Sequence, residues 1–338
     1  PGRDDSRPEK VGNENPVHQS VLRTAETNTI PAADSIKDSL GFTFCKAFQD
    51  LGHDITLFAA HEYRPSRTEE YPFPVVFAKS WFKRIFTPRV IPFLPGLAWH
   101  LLRHGGRYDL IVSSELHTLH SLMAAVLRPG RTVVWHELSH HFRLFHQIPS
   151  KLWFALSRPV YSRVRSICPR SSRARDFLLG YYRNVAPDPI GHGVDLDKFE
   201  VSEVAAEHFI VCSQLIERKR VDDTIQKFAR YLSKHPDARE ELLILGDGDR
   251  RASLEALTGR LGIAERVRFL GRRSHREMVP LLSRAKAMLI SSRRDLTLLS
   301  ISESIACGTP VVVLDHVDSS DAIREHGLGV ASPDWTED

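Results

Sequence analysis

The sequence predicts an α/β protein built from two doubly wound parallel sheets, and three observations predict it. Short, near-continuous apolar runs recur along the chain, each followed by a longer segment with helical spacing, as strands and helices of a parallel sheet do. The length, 338 residues, is about twice that of an ordinary domain of ~150 residues. The charge divides unevenly. Residues 1–200 carry 26 basic and 20 acidic side chains, and residues 201–338 carry 20 and 22, so the two parts have surfaces of different character.

Composition bounds the function. With 42% hydrophobic and 26% charged residues, the chain can bury a core and is not disordered as a whole. A net charge of +4 is too small to point to nucleic acid. Cys45, Cys168, Cys212 and Cys307 lack C-x-x-C spacing, which argues against a structural zinc site and a disulfide scaffold and fits a reducing, cytoplasmic compartment. No apolar run approaches the roughly 18–20 residues needed to cross a bilayer.

Residues 1–18 are polar, lack the apolar stretch of a signal peptide, and read as a disordered leader. A first domain is expected over 19–190. Ile36–Leu51 has helical spacing and stops at Gly52, a C-cap residue. Asp54–Ala59 reads as a strand, as does Tyr108–Ser113, which leads into a helix ending near Leu127. Arg131–Trp135 is a buried-strand run ending in a His-rich turn. Residues 191–204, with Gly191 and Gly193, form a linker. The second domain, 205–338, alternates more cleanly. Strands are expected at His208–Cys212, Glu241–Leu245, Val267–Leu270, Ala287–Ser291 and Val311–Leu314. Helices are expected at Val221–Lys234, Arg250–Leu261, Arg276–Ala285 and Ile301–Cys307.

Open α/β sheets bind ligands beyond the carboxyl ends of their strands. There the second domain places Gln214 to Lys219 and the turn Gly246-Asp247-Gly248, whose glycines allow close backbone approach or simply a turn. Asp247 and Asp249 alone do not make a metal site. Asp295 and Glu303 bracket a loop and a helix N-terminus, where backbone amides can hold a diphosphate and the acids can accept from hydroxyls.

Here the sequence resembles a family. Asp295 to Glu303 is similar to the E-x7-E motif of retaining nucleotide-sugar glycosyltransferases of family 4, which have the GT-B fold of two Rossmann-like domains. Ala306-Cys-Gly-Thr-Pro-Val-Val312 resembles that family's A-x-G-x-P-V-V signature. Gly52 to Leu57, Gly193-Val-Asp195 with Phe199, Lys219, Leu245 to Gly248 and Arg266 to Gly271 resemble further family segments in the family's order. The resemblance spans roughly residues 36–335.

The resemblance implies a donor-binding second domain and an acceptor-binding first domain across a cleft. Catalytic roles would fall to His136, near the reacting centre, and Asp295, on the sugar hydroxyls. Gln214, Lys219, Gly246, Asp247, Gly248, Thr297, Leu298, Leu299 and Glu303 would bind the donor, Lys219 through its phosphates and Glu303 through the ribose. It implies sugar transfer with retention to a glycan or lipid-linked acceptor, without metal or cofactor. The sequence departs from the pattern: Asp295 replaces glutamate, Gln214 an arginine, His192 an asparagine, Leu296 and its neighbours a glycine-bearing loop, and Asn28–Asp34 a Gly-Gly loop. The family's closing helices have no counterpart before Asp338, so a truncated second domain is expected. Two other readings stay open: a sugar-nucleotide epimerase of the same fold, and a nucleotide-binding module without turnover.

Residues 78–103 mix cations with Trp81, Phe82 and Trp99; such a segment is either a core-packed loop and helix with snorkelling cations or a surface that can sit on an anionic membrane. Peripheral association at the inner face of the membrane is therefore a further expectation. His136 is expected to matter for turnover more than for folding.

Overall fold

A computed structural model describes residues 20–23, 35–85, 92–141, 149–204, 206–292, 299–315, 317 and 319–333. Two parallel six-stranded sheets organise them. The first comprises β1 (Ser20–Arg23), β2 (Asp54–Ala60), β3 (Val75–Ala78), β4 (Leu110–Ser114), β5 (Thr132–His136) and β6 (Ser166–Pro169), in the order β3-β2-β1-β4-β5-β6. The second comprises β7 (His208–Cys212), β8 (Glu241–Leu245), β9 (Val267–Gly271), β10 (Ala285–Ile290), β11 (Val311–Leu314) and β12 (Gly329–Ser332), in the order β12-β11-β10-β7-β8-β9. Counted from its own first strand, each sheet has the same doubly wound order. Each therefore has a switch point, between β1 and β4 and between β7 and β10, where crossovers leave in opposite directions and open a crevice.

The helices are α1 (Leu40–Asp50), α2 (Pro95–His104), α3 (Leu119–Leu127), α4 (Ser150–Tyr161), α5 (Ser172–Leu179), α6 (Val221–Lys234), α7 (Arg251–Arg260), α8 (His275–Leu282), α9 (Leu299–Ala306) and α10 (Ser320–Glu325). Their starts follow from local chemistry. The Ser39 hydroxyl accepts from the Phe42 amide at 3.2 Å and caps α1. Ser274 and Glu277 form a reciprocal capping box on α8. Helix α6 buries Val221, Thr224, Ile225 and Phe228, one face at helical spacing.

The expected elements appear with small shifts of boundary. Gly52 follows α1 with φ +88°, in the left-handed region that glycine tolerates. The helix expected from Ile36 is broken: Ile36–Asp38 is a 3₁₀ turn and α1 begins only after Ser39. The helix expected over Arg276–Ala285 ends at Leu282, because Ala285 already begins β10. Strands β1, β3, β6 and β12 and helices α2, α4, α5 and α10 are additional. The leader, the Asn28–Asp34 segment and the 293–298 loop lie outside the described residues.

The linker is fastened at both ends. The Ile190 amide donates to the Pro169 carbonyl at 2.8 Å, and its carbonyl accepts from Trp135 Nε1 at 2.6 Å. Val201 lies against Gly308, where a Cβ would approach its side chain to 2.9 Å. Between these points Asp195 accepts from Lys46 Nζ of α1 at 3.0 Å.

Candidate active site

The second-sheet crevice is built by the carboxyl ends of β7, β8 and β10. A cavity of about 280 Å³ is lined by Ser213 and Gln214 after β7, Gly246 and Asp247 after β8, Arg272 and Arg273 after β9, and Glu303 of α9, among others. The glycines are there because two loops nearly touch. A Cβ on Gly246, whose φ is +132°, would lie 1.8 Å from the Ser213 carbonyl oxygen, and one on Gly248 would lie 2.3 Å from that of Leu215. The turn is thus a packed wall of the crevice. Asp247 is exposed at its mouth, and its carbonyl accepts from the Leu215 amide at 3.0 Å.

Lys219 lies at the adjoining end of the crevice with Ser213, Ser291, Ser292 and Ser300. Burial, helped by Arg218, pushes its ammonium down to about 8, and the Glu137 carboxylate from the first sheet opposes the shift. The following residue, Arg220, holds φ +50°. Its carbonyl accepts from Ser291 Oγ at 2.6 Å, and its guanidinium pairs with Asp223 at 2.7 Å, which fixes the turn into α6. Glu303 is buried on α9, and His275 Nε2 of α8 lies 2.8 Å from its Oε1. Leu299 opens α9. Asp295, Thr297 and Leu298 lie outside the described residues. The cation lost at Gln214 has neighbours the sequence reading did not single out: Arg272 and Arg273 line the same cavity.

The first-sheet crevice is more heavily charged. His136 ends β5, as expected, but its side chain is 0% exposed. Its Nδ1 lies 2.8 Å from Glu115 Oε2, and the Phe154 ring lies edge-on at 6.0 Å between centroids. The imidazole is fully buried, while Glu115, His117 and Glu137 near it keep partial exposure. Glu115, absent from the sequence-derived site, follows β4 with φ +65°. Its Oε1 accepts from the Glu137 amide at 3.1 Å and lies 3.7 Å from Arg170 Nη2. Burial alone would raise the Glu115 carboxyl, but His136 and then Arg170 hold it well below the usual carboxylate range. Burial pushes the His117 imidazole down to about 4.

Glu137 is held by Arg170 Nη1 at 2.9 Å and by His192 Nε2 at 3.6 Å. Burial would raise its carboxyl; the His192 contact and the Arg170 charge outweigh it and lower it. His192, where the resemblance expects asparagine, thus contacts the first-sheet site and lies edge-on to Trp135 at 5.5 Å. Arg170 stacks on the other side of the site, 4.0 Å above the Trp135 ring. None of Glu115, His117, Glu137 or Arg170 carries a short sequence motif. Their one shared signal is a polar residue just past an apolar run.

Comparison with known proteins gives consistent results. Residues 42–198 match the family model "Glycosyltransferase Family 4" and residues 206–338 match "Glycosyl transferases group 1". Over 127 residues the chain is 32% identical to the exopolysaccharide phosphotransferase SCO2592 of Streptomyces coelicolor, covering 37% of this chain and 13% of that protein. Over 94 residues it is 35% identical to the N-acetyl-alpha-D-glucosaminyl L-malate synthase of Bacillus anthracis, covering 28% and 23%. These matches take in well under two thirds of either relative's length. Among solved structures, Anabaena Alr3699/HepE in complex with UDP and glucose superposes with TM-score 0.66 at 16% identity, covering 95% of this chain and 87% of that one. A glycosyltransferase from Rickettsia africae superposes with TM-score 0.67 at 14% identity, covering 95% and 86%. At such identities the structural likeness is one of fold. Over most of its length, then, this chain resembles the glycosyltransferases of family 4 and group 1, and it has their GT-B fold.

Proposed function

We propose that the chain transfers a sugar from a nucleotide-sugar donor to a glycan or lipid-linked acceptor, with retention of configuration. The donor occupies the second-sheet crevice. One observation carries this reading: Gly246, Arg272, Arg273 and Glu303 line one cavity at the carboxyl ends of the strands, and Lys219 lines the adjoining pocket that shares Ser213 and Ser300 with it. That is a cationic cradle for a diphosphate with a carboxylate beside it for sugar or ribose hydroxyls. The difficult step is charge building on the departing nucleoside diphosphate, and preorganised cations and amides stabilise such charge without reorganising. Asp295 and the amides of Thr297, Leu298 and Leu299 take the roles that the resemblance implies.

The acceptor lies on the first-sheet side, facing Glu137 and His117. His136 acts from below as a positioning residue through Glu115. An exposed apolar and basic patch supports an acceptor at a membrane surface: Trp81, Phe82, Ile85, Trp99 and Leu102 are exposed, and Lys83 and Arg103 lie among them. No helix among the described residues is long and apolar enough to cross a membrane.

A thermal-shift series with UDP-, GDP- and ADP-sugars tests the donor site, since a ligand that binds the folded state raises the melting temperature by mass action. A positive donor is then incubated with acceptor glycolipids, and the anomeric configuration of the product is read by NMR. No shift with any nucleotide sugar would remove the reading. Binding followed by inversion would remove its stereochemistry.

A further inference from the structure

We infer that His275 is a positioning residue for Glu303: it holds one carboxylate oxygen from behind and so orients the other for the hydroxyls of a nucleotide ribose. The inference rests on the donor-site reading above. His275 Nε2 lies 2.8 Å from Glu303 Oε1. The Glu303 side chain is 9% exposed and that of His275 30%. A carboxylate only accepts, so Nε2 carries the hydrogen and donates it. A charge as buried as this one needs such a partner.

Glu303 faces two hollows. It lines the donor cavity of about 280 Å³ with Gly246, Arg272 and Arg273. It also lines a smaller pocket toward α1 and the linker, with Gly193, Asp195 and Phe199. His275 lines the second and not the first. The imidazole therefore reaches the carboxylate from the side away from the donor cavity, as a group acting through another does. Pinning one oxygen orders the carboxylate before a ligand arrives, so less freedom is lost when a hydroxyl binds.

The ring is itself held in place. His275 is the first residue of α8. The Ser274 amide and hydroxyl donate to Glu277 Oε2 at 3.0 and 2.8 Å, and Arg273 Nη1 donates to Glu277 Oε1 at 3.0 Å, which fixes the start of the helix. Phe199 lies edge-on to the imidazole at 6.3 Å between centroids. Val279 and Leu282 of α8 share one apolar core with Ile301 of α9. That core already joins the two helices, so the consequence of the polar contact falls on the carboxylate.

Calorimetry on the full chain with UDP, GDP and ADP, and with their 2′,3′-dideoxy forms, tests this. His275→Leu and His275→Asn, whose amide is too short to reach Glu303, are each checked for folding by their melting curves, so that either can stand in for the other. Each should weaken the nucleotide that binds wild type by about tenfold, the scale of a hydrogen bond to a charged group. The dideoxy form has no hydroxyl for Glu303 to receive, and its affinity should stay at the wild-type value. A residue that only braced the fold would weaken both forms alike. That result overturns the proposal, as does wild-type affinity in the folded variants. If Glu303→Ala weakens the ribose form while neither His275 variant does, the proposal alone falls and the donor site stands. If none of the three nucleotides binds wild type, the donor reading falls and this proposal with it.

Discussion

Lys219→Met should stabilise the ligand-free protein while weakening its hold on nucleotides. Burial moves the ammonium from 10.5 to about 8. At about 1.4 kcal/mol per unit, the full displacement is worth ~3 kcal/mol. The side chain keeps partial contact with water, so a screened value of about 1–2 kcal/mol is the working figure. Methionine retains the apolar stem and removes the charge. The sign of the pH dependence follows from proton counting. The folded-state value lies below the unfolded one, so the unfolded chain binds more protons between pH 8 and 10.5, and wild-type stability from this group rises across that window. The penalty is present in full below pH 8. Melting curves should therefore place Lys219→Met above wild type at neutral pH, with a gap that closes toward pH 10.5. Calorimetry with UDP, GDP and ADP should show the nucleoside diphosphate that binds wild type losing about 1.5–3 kcal/mol, the worth of a charged hydrogen bond. Equal melting temperatures at neutral pH, or a gap indifferent to pH, would refute the desolvated lysine. Unchanged nucleotide affinity would refute its role in the cradle.

Gly246→Ala should cost about 2–4 kcal/mol and abolish nucleotide binding, since its Cβ would collide with the Ser213 carbonyl; Gly106→Ala, whose Cβ meets nothing within 4 Å, should melt like wild type. Glu303→Ala should raise donor KM more than it lowers kcat, as loss of uniform binding does; a fall in kcat alone would move Glu303 to the transition state. His136→Ala should lower kcat by ~100-fold and, contrary to the sequence-based expectation, also cost about 3 kcal/mol in denaturant melts, because it removes the 2.8 Å partner of the largely buried Glu115 Oε2. Trp81→Glu with Phe82→Glu should abolish salt-sensitive sedimentation with anionic vesicles; no sedimentation of wild type at low salt would dismiss the membrane surface.

The second sheet is legible in the sequence because its central strands are covered on both faces. Runs such as Leu242-Leu-Ile-Leu245 are apolar throughout and cannot be mistaken for alternating surface strands. The first sheet hides its outer strands. β1 is four residues long, β3 follows Pro74, and β6 ends in Pro169, so none offers a window long enough for periodicity to speak. Helix α4 is obscured by the internal Pro159. The donor crevice was readable because its residues sit in short contiguous motifs. The Glu115 cluster was not. It is assembled from the ends of three strands, and Arg170 reaches it from 55 residues downstream of Glu115 by chain position. What makes Glu115 special is a backbone angle, and a sequence carries no direct mark of that for a residue other than glycine.

The double fastening of the linker fixes where the molecule can bend. Ile190 is sewn to the first sheet through Pro169 and Trp135, and Val201 is seated against Gly308 of the second. Any change in the angle between the sheets must therefore be taken up by residues 191–200. His192 and Asp195 both lie inside that pivot, one touching Glu137 and the other tied to α1. Rotation there moves an imidazole against a carboxylate of the cleft and strains an ion pair at once, so the bending coordinate and the electrostatics of the first-sheet crevice are geared to the same few residues. Substituting the pivot would retune both together.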